Sequence, residues 1–396
     1  MLKTPYHRRQ ILKGMATAAS AAALSGVLPN GAFAADDTIY LAVAAPMTGD
    51  SASMGLNAQR GADAAVKMIN AAGGIGGKKI AYEIFDDQGS PKEAASVARR
   101  ILDADKFLAV VGHVNSSCTL AANPIYSDAS MPVLCGSSSN AAVTDSGWEN
   151  ILRMTIRDDY GAQQYSAYAV NNLGKKKLGI FYANDDYGRG LRDEMVKAAK
   201  ALSADVAAEA GFTPNVDKDF SSIITDFKAK GVEAFMLNCN YTEGGLFLGQ
   251  AKGLGVSGIP TVGPDSLLYN EFISLSQGAA EGAYVLASYD PYAQGKTAAD
   301  FMKSFNDAYA TIPSQVAVFT DDFFLLVKQL VEAGAKSDTL VAAAKKAKFE
   351  GAGGHYEWDA KGDVKNRTFA VIQVKDGAFH STGAQVDEKG LEKLRG

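Results

Sequence analysis

The chain of 396 residues is long enough for two domains and a large buried core. Its formal charge of −5, from 39 Lys and Arg against 44 Asp and Glu, excludes a basic surface for nucleic acid or anionic lipid. Its 4 histidines and 3 cysteines show none of the spacings that hold zinc, and the odd cysteine number leaves at least one thiol free in a monomer.

Residues 1–34 carry Lys3, Arg8, Arg9 and Lys13 and no acid. Arg8-Arg9 precede an alanine-rich apolar stretch over 15–28, and Ala32-Phe33-Ala34 supplies a small-x-small cleavage site. That stretch is shorter than the roughly 20 residues a bilayer span needs. The pattern resembles a twin-arginine export signal cut after Ala34, which places the mature protein in the periplasm. Losing those four positive charges takes the formal charge from −5 to −9.

From Asp37 onward, strand and helix patterns alternate. The first half reads as strand 39–44, helix 55–71, strand 80–85, helix 92–103, strand 107–111, helix 119–130 and strand 131–134. In the first helix Ala58, Ala62, Ala65, Val66 and Ile69 share one face, and a glycine turn over 73–77 ends it. The pattern restarts with helix 159–171, strand 177–182, helix 187–204, strand 207–212, helix 220–230, strand 234–238 and helix 243–252. A short strand over 259–262 runs into Gly263-Pro264-Asp265. Residues 282–288 read as a strand crossing between domains, followed by helices 299–309 and 316–334 and a strand over 367–374. Two α/β units with parallel sheets are the expected architecture.

Two serine-rich turns stand at strand ends. The run 107–111 opens into Gly112-His113-Val114-Asn115-Ser116-Ser117-Cys118-Thr119, and 131–134 opens into Cys135-Gly136-Ser137-Ser138-Ser139-Asn140. In open parallel sheets ligands bind outside the carboxyl ends of strands. Hydroxyls and free amides at a helix start suit a carboxylate, although serine is also a common helix cap. His113 is either a cleft-lining or a packed structural residue, and Cys118 and Cys135 pair only if the geometry brings them together.

Motifs for chemistry are missing. A phosphate loop around Gly77-Lys78 needs glycine at Ala72 and a hydroxyl at Lys79. No G-x-G-x-x-G follows an expected strand, and there is no G-x-S-x-G elbow. An exported chain of this kind points to binding rather than catalysis.

The order of short motifs is more specific. It comprises Met47-Thr48-Gly49, then Ile69-Asn70-Ala71-Ala72-Gly73-Gly74-Ile75-Gly76-Gly77-Lys78, and Asp86-Asp87 before Pro91-Lys92. Val111-Gly112-His113, Tyr187-Gly188-Arg189-Gly190 and Lys218-Asp219-Phe220-Ser221 follow. Gly263-Pro264-Asp265 and Tyr356-x-Trp358-Asp359-x-Lys361-Gly362-Asp363 complete the set. With these motifs the chain resembles, over about residues 38–378, the periplasmic branched-chain amino-acid-binding proteins of ABC importers, the Leu/Ile/Val-binding type. The resemblance implies the type I periplasmic binding protein fold: α/β, with two Rossmann-like lobes whose parallel sheets are joined by a three-strand hinge. It implies a first lobe of 37–157 plus 289–365 and a second of 158–288 plus 366–390, closing on a ligand between them.

The resemblance also assigns residues. Ser116 and the turn Ser137, Ser138 and Ser139 fall where the family holds a ligand carboxylate, and Tyr187 faces them from the second lobe. Asn240 or Tyr241 supplies a further contact, and Asp265 accepts the ligand ammonium. Met54 stands where the family commonly has tyrosine, the three serines where it has Ala-Ala-Thr, and Asp265 where it has glutamate. Gly89 and Asn115 replace the cysteines of its first-lobe disulfide. The implied function is a receptor that delivers an amino acid or other small carboxylate to an ABC permease in the inner membrane. It would act as a monomer, with no cofactor, metal or nucleic acid and no catalysis. A ligand-sensing receptor for aromatic acids or amides is the alternative, and a secreted enzyme the third reading.

Overall fold

The structure is a computed structural model that describes residues 38–293 and 295–394. The export-signal reading of residues 1–34 lies outside the described residues. The first half contains β1 (Thr38–Ala45), α1 (Ala52–Ala71), β2 (Lys79–Asp86), α2 (Pro91–Asp103), β3 (Phe107–Gly112), α3 (Ser116–Asp128), β4 (Val133–Cys135), α4 (Ala142–Asp145) and β5 (Ile151–Arg153). Its five strands form one parallel sheet in the order β2-β1-β3-β4-β5.

Local chemistry sets the ends of these elements. Ser90 caps α2 by accepting from the Glu93 amide, with Pro91 in the first turn. α1 ends where the Gly74 N–H donates to the Ile69 carbonyl at 2.9 Å. Residues 41–45 are almost completely buried, as a central parallel strand covered on both faces requires. Leu41, Val43 and Ala45 face the core under α1, whereas Ala42 and Ala44 face α2 and α3, the period of two that a pleated strand imposes.

The second half contains α5 (Asp158–Ala167), β6 (Lys177–Ala183), α6 (Asp186–Ala201), β7 (Asp205–Phe212), α7 (Ser221–Ala229), β8 (Ala234–Asn238), α8 (Tyr241–Gly253), β9 (Thr261–Pro264), α9 (Asn270–Leu275) and β10 (Tyr284–Ala287). The chain then runs through α10 (Lys296–Tyr309), α11 (Gln315–Glu332), α12 (Leu340–Ala344) and the hairpin of β11 (Phe349–Gly351) and β12 (Gly354–Tyr356). It ends in β13 (Ala370–Lys375) and β14 (Ala378–Ser381). The second sheet has the order β14-β13-β10-β9-β8-β6-β7, with every pair parallel except β10–β13 and β13–β14. α11 packs on α1 of the first lobe, so the chain passes between the lobes three times.

Three expectations need correction. Residues 282–288 do not cross: β10 pairs parallel with β9 and antiparallel with β13, inside the second sheet. β5 is an additional strand whose three residues are too short to show a hydrophobic period. The helix expected over 159–171 changes to a wider π turn at Tyr168–Asn172. All three cysteines are buried free thiols, and the Cys135 thiol points to the Ser138 carbonyl at 3.7 Å.

One buried ion pair ties the end of the chain to its middle. Arg153 is fully buried, and its guanidinium lies 2.6 Å from the Asp363 carboxylate. It also donates to the Ser138 carbonyl at 3.1 Å and the Asn140 carbonyl at 2.8 Å. Removing Asp363 leaves this cation buried without its partner, and breaking such a pair costs about 3–5 kcal/mol. Asp363→Ala is therefore expected to lower unfolding free energy by that amount, with a smaller midpoint and unchanged slope in urea denaturation. A loss within about 0.5 kcal/mol of zero, the range of a neutral surface change, would contradict the assignment.

Candidate functional site

The two serine turns meet in space. α3 starts at Ser116 directly after β3, and the first-turn amides of a helix have no intrahelical partners, so its positive end is open to an anion. The Ser116 side chain is buried, and its Oγ accepts the Asn140 N–H at 3.3 Å. The Ser138 hydroxyl donates to the His113 carbonyl at 3.0 Å and lies 2.6 Å from Thr119 Oγ1, so it holds the turn together. Ser137 and Ser139 flank it, half-buried. His113 is structural: buried, with Nδ1 2.6 Å from Asp87 and Nε2 3.2 Å from the Tyr126 hydroxyl.

The Ser139 carbonyl accepts the Asp158 N–H at 2.9 Å, which brings the start of α5 to the serine turn. Asp158 is 5 % exposed, and its Oδ2 has no hydrogen-bond partner among the described residues. Burial pushes this carboxyl up to about 7, against the downward pull of Ser139 and Arg153; Asp159 and Asp265 add to the rise. Asp265 follows β9. Its Oδ2 accepts the Ser288 N–H at 3.1 Å and the Ser288 hydroxyl, and its Oδ1 faces Gln315 Nε2 at 3.4 Å. Burial raises Asp265 too, opposed by the Ser288 bonds. The Tyr187 hydroxyl lies 3.3 Å from Ser266 Oγ, and burial followed by the charge of Asp158 raises its phenol. Two carboxyls and two tyrosines, Tyr165 being the second, thus act on one another in one water-poor patch.

The lobes touch on both sides of this patch. Asn140 Nδ2 donates to the Asp186 carbonyl at 2.6 Å, and the Asp186 N–H donates to Ser117 Oγ at 3.1 Å. Opposite, the Ser53 N–H donates to the Tyr241 hydroxyl at 3.1 Å, and Asn240 Nδ2 donates to Ser51 Oγ at 3.1 Å. Asp50 accepts from Thr242 at 2.8 Å through its carbonyl, and its carboxylate pairs with Lys218. Met54 is buried on α1 beside these contacts. Asn240 and Tyr241 therefore bridge the lobes, and the ring of Tyr241 lies 4.6 Å from that of Tyr269.

Asp158, Ser117, Asn140, Ser266, Ser288 and Gln315 were not singled out from sequence. Asp158 alone had a local signal, since two adjacent acids open a helix after Arg157. Among the described residues, no three His, Cys, Asp or Glu side chains come together as metal ligands.

Comparison with known proteins gives the family and the fold. A family model described as periplasmic binding protein matches residues 38–378. An amino acid binding protein of Pseudomonas aeruginosa is 32% identical over 374 residues, 91% of this chain and 96% of that one. A Leu/Ile/Val-binding protein homolog of Brucella abortus is 31% identical, with the same shares covered. The structure of a branched-chain amino acid substrate-binding protein, LivJ of Streptococcus pneumoniae in complex with isoleucine, superposes with a TM-score of 0.81. It is 28% identical and covers 87% of this chain and 98% of that one.

The raised Asp158 carboxyl has a defined sign in stability. The folded chain holds a proton that the unfolded chain releases, so this stabilisation is complete below about pH 4 and is lost as the pH rises to about 7. Asp158→Asn removes the effect. Measured by urea unfolding without ligand, the variant should gain on the native chain by about 2–3 kcal/mol between pH 5 and pH 8. A difference that stays flat across that range would show that Asp158 is not buried as an unpaired acid.

Proposed function

Because this chain belongs to the periplasmic binding protein family, we propose that it is the extracytoplasmic receptor of an ABC importer for one small α-amino acid. The observation that carries this reading is the buried acid Asp158, with the half-buried Asp265 acting on it, beside the serine turn and the start of α3. An amino-acid zwitterion presents a carboxylate and an ammonium one carbon apart, and this patch sets donors and acids side by side, with the Asp158 N–H on the Ser139 carbonyl at 2.9 Å. In the proposed complex Ser116, Ser137 and Ser139, with the first-turn amides of α3, hold the carboxylate through charge-assisted bonds. Asp265 and Asp158 pair with the ammonium. Tyr187 covers the ligand from the second lobe, and Met54, Asn240 and Tyr241 close the opposite wall.

The proposal divides the chain into lobes 37–157 plus 289–365 and 158–288 plus 366–390, a division supported by the sheet to which each strand belongs. Residues 1–34 serve as the export signal, cleaved after Ala34, and the mature chain acts in the periplasm as a monomer without catalysis. A permease would recognise the closed form. Relatives named amino acid binding and Leu/Ile/Val-binding support an amino-acid ligand. An aromatic acid without an amine would leave Asp158 and Asp265 without a counter-charge beside its own carboxylate, which disfavours the sensing alternative for such ligands.

Isothermal titration with leucine, isoleucine, alanine, threonine, serine and benzoate tests the reading. At least one amino acid should bind, and Asp265→Asn should weaken it by about 2–5 kcal/mol, some thirtyfold or more. Ser116→Ala should cost about tenfold, the loss of a hydrogen bond to a charged group. Binding of benzoate alone, indifferent to Asp265→Asn, would overturn the proposal.

A further inference from the structure

α1 and α11 pack closely in the first lobe because of one glycine. A Cβ on Gly61 would stand 2.2 Å from the Ala317 carbonyl oxygen, so only glycine permits this crossing. One turn further the seam continues through Ala64 and Met68 on α1 and through Asp321 and Leu325 on α11, and α10 forms a third wall with Phe301 and Phe305. These helices line a half-open cavity of about 640 Å³, within the range of small-molecule sites. The amino-acid cleft lies elsewhere, at the strand ends and the serine turns.

Asp321 is the anomaly in this apolar seam. It is 1 % exposed, it lines the cavity, and its Oδ1 has no hydrogen-bond partner among the described residues. The neighbouring Asp322 shows what a structural acid looks like here: its carboxylate accepts from the Ala352 N–H at 2.6 Å, the Gly353 N–H at 2.9 Å and the Tyr356 hydroxyl at 2.7 Å. Asp321 has no such set. Burial, then the charge of Asp322, holds its carboxyl well above the usual carboxylate range. The cations at the cavity mouth are Lys67 and Lys296, both exposed; Lys296 pairs with Asp300. Of the other acid at the mouth, Asp63, one oxygen is held by the Tyr82 hydroxyl at 2.7 Å.

A buried carboxyl without a partner is costly, and a bound cation removes that cost. An anion would meet Asp321, with Asp63 and Asp300 at the mouth, and a hydrocarbon would leave the carboxyl unpaired. We propose that this cavity is a second ligand site, separate from the cleft, that takes a small apolar primary amine with its ammonium on Asp321 and its apolar body between Met68, Phe301, Phe305 and Leu325. The amine enters protonated, and Asp321 releases its own proton to solvent as the ion pair forms.

The test is titration of the full mature chain with 2-phenylethylamine, with 2-phenylethanol and phenylacetate as controls of the same shape, followed by calorimetry. The amine should bind saturably with release of protons, seen as heats that change with the ionisation enthalpy of the buffer. Neither control should bind as well. Asp321→Leu should weaken the amine by about tenfold or more, as loss of a buried charge partner does. Asp265→Asn should leave it unchanged, which separates this site from the cleft. If Asp321→Leu fails to fold, Ala64→Trp, which fills the cavity and keeps the carboxyl, should abolish binding instead. No binding of the amine, equal binding of the alcohol, or loss of amine binding in Asp265→Asn would each overturn the proposal.

Discussion

The Arg153 guanidinium, completely buried, donates at once to the Ser138 and Asn140 carbonyls, to Thr144 Oγ1 at 2.5 Å and to Asp363 at 2.7 Å. A cation removed from water demands a full set of acceptors, and this one draws them from three places in the sequence. The serine turn gives its carbonyls and so cannot drift. Asp363 arrives from the last part of the chain, and the Trp358 indole donates back to the Arg153 carbonyl at 2.7 Å. The final pass of the chain between lobes is thus fixed to the same point as the serine turn. The Tyr356-to-Asp363 motif belongs to this scaffold and not to the ligand.

That arrangement also decides the charge of the cleft. Arg153 faces Asp363, and Arg157 holds Asp145, Asp159 and Asp363 at 2.8 to 2.9 Å. Both cations nearest the serine turn are therefore matched by acids outside it. Asp363 feels burial, which would raise it, but the two arginines win and keep it below the usual carboxylate range. Asp158 has the opposite fate. It shares the neighbourhood of Arg153 without bonding to it, and burial dominates. The result is an acid end with no resident cation beside a turn rich in donors. In the proposed complex, a ligand lacking the amine would leave Asp158 and Asp265 without a counter-charge.

Much of this was legible in the sequence, for physical reasons that also explain the rest. Central strands such as β1, β3 and β8 are buried on both faces, so their apolar runs are continuous and plain to see. The serine turns were visible because small hydroxyl residues follow those runs directly. β5 was not, since three residues carry no period, and with it went the exit turn that presents Asp158. Ser288 and Gln315 touch Asp265 from 23 and 50 residues away, through pairings that sequence spacing does not encode. Ser138 shows the converse: a hydroxyl in the right motif whose bonds all run inward to the His113 and Val114 carbonyls and Thr119.

The contacts across the cleft are small and mostly neutral. Asn140 and Ser117 on Asp186, Ser53 on Tyr241 and Asn240 on Ser51 are single hydrogen bonds between groups that water serves almost as well. Each contributes about 1 kcal/mol net, and the Lys218–Asp50 pair lies near solvent, where such pairs contribute about 0–1 kcal/mol. Ordering the rims opposes these gains with lost side-chain entropy. In the proposed function a ligand that bridges the lobes shifts the population by its preference for the closed state. In that proposal a zwitterion held at one end by the first-lobe donors around Ser116 and at the other by Asp158 and Asp265 of the second lobe would have that preference built in, because either lobe alone would satisfy only one of its charges.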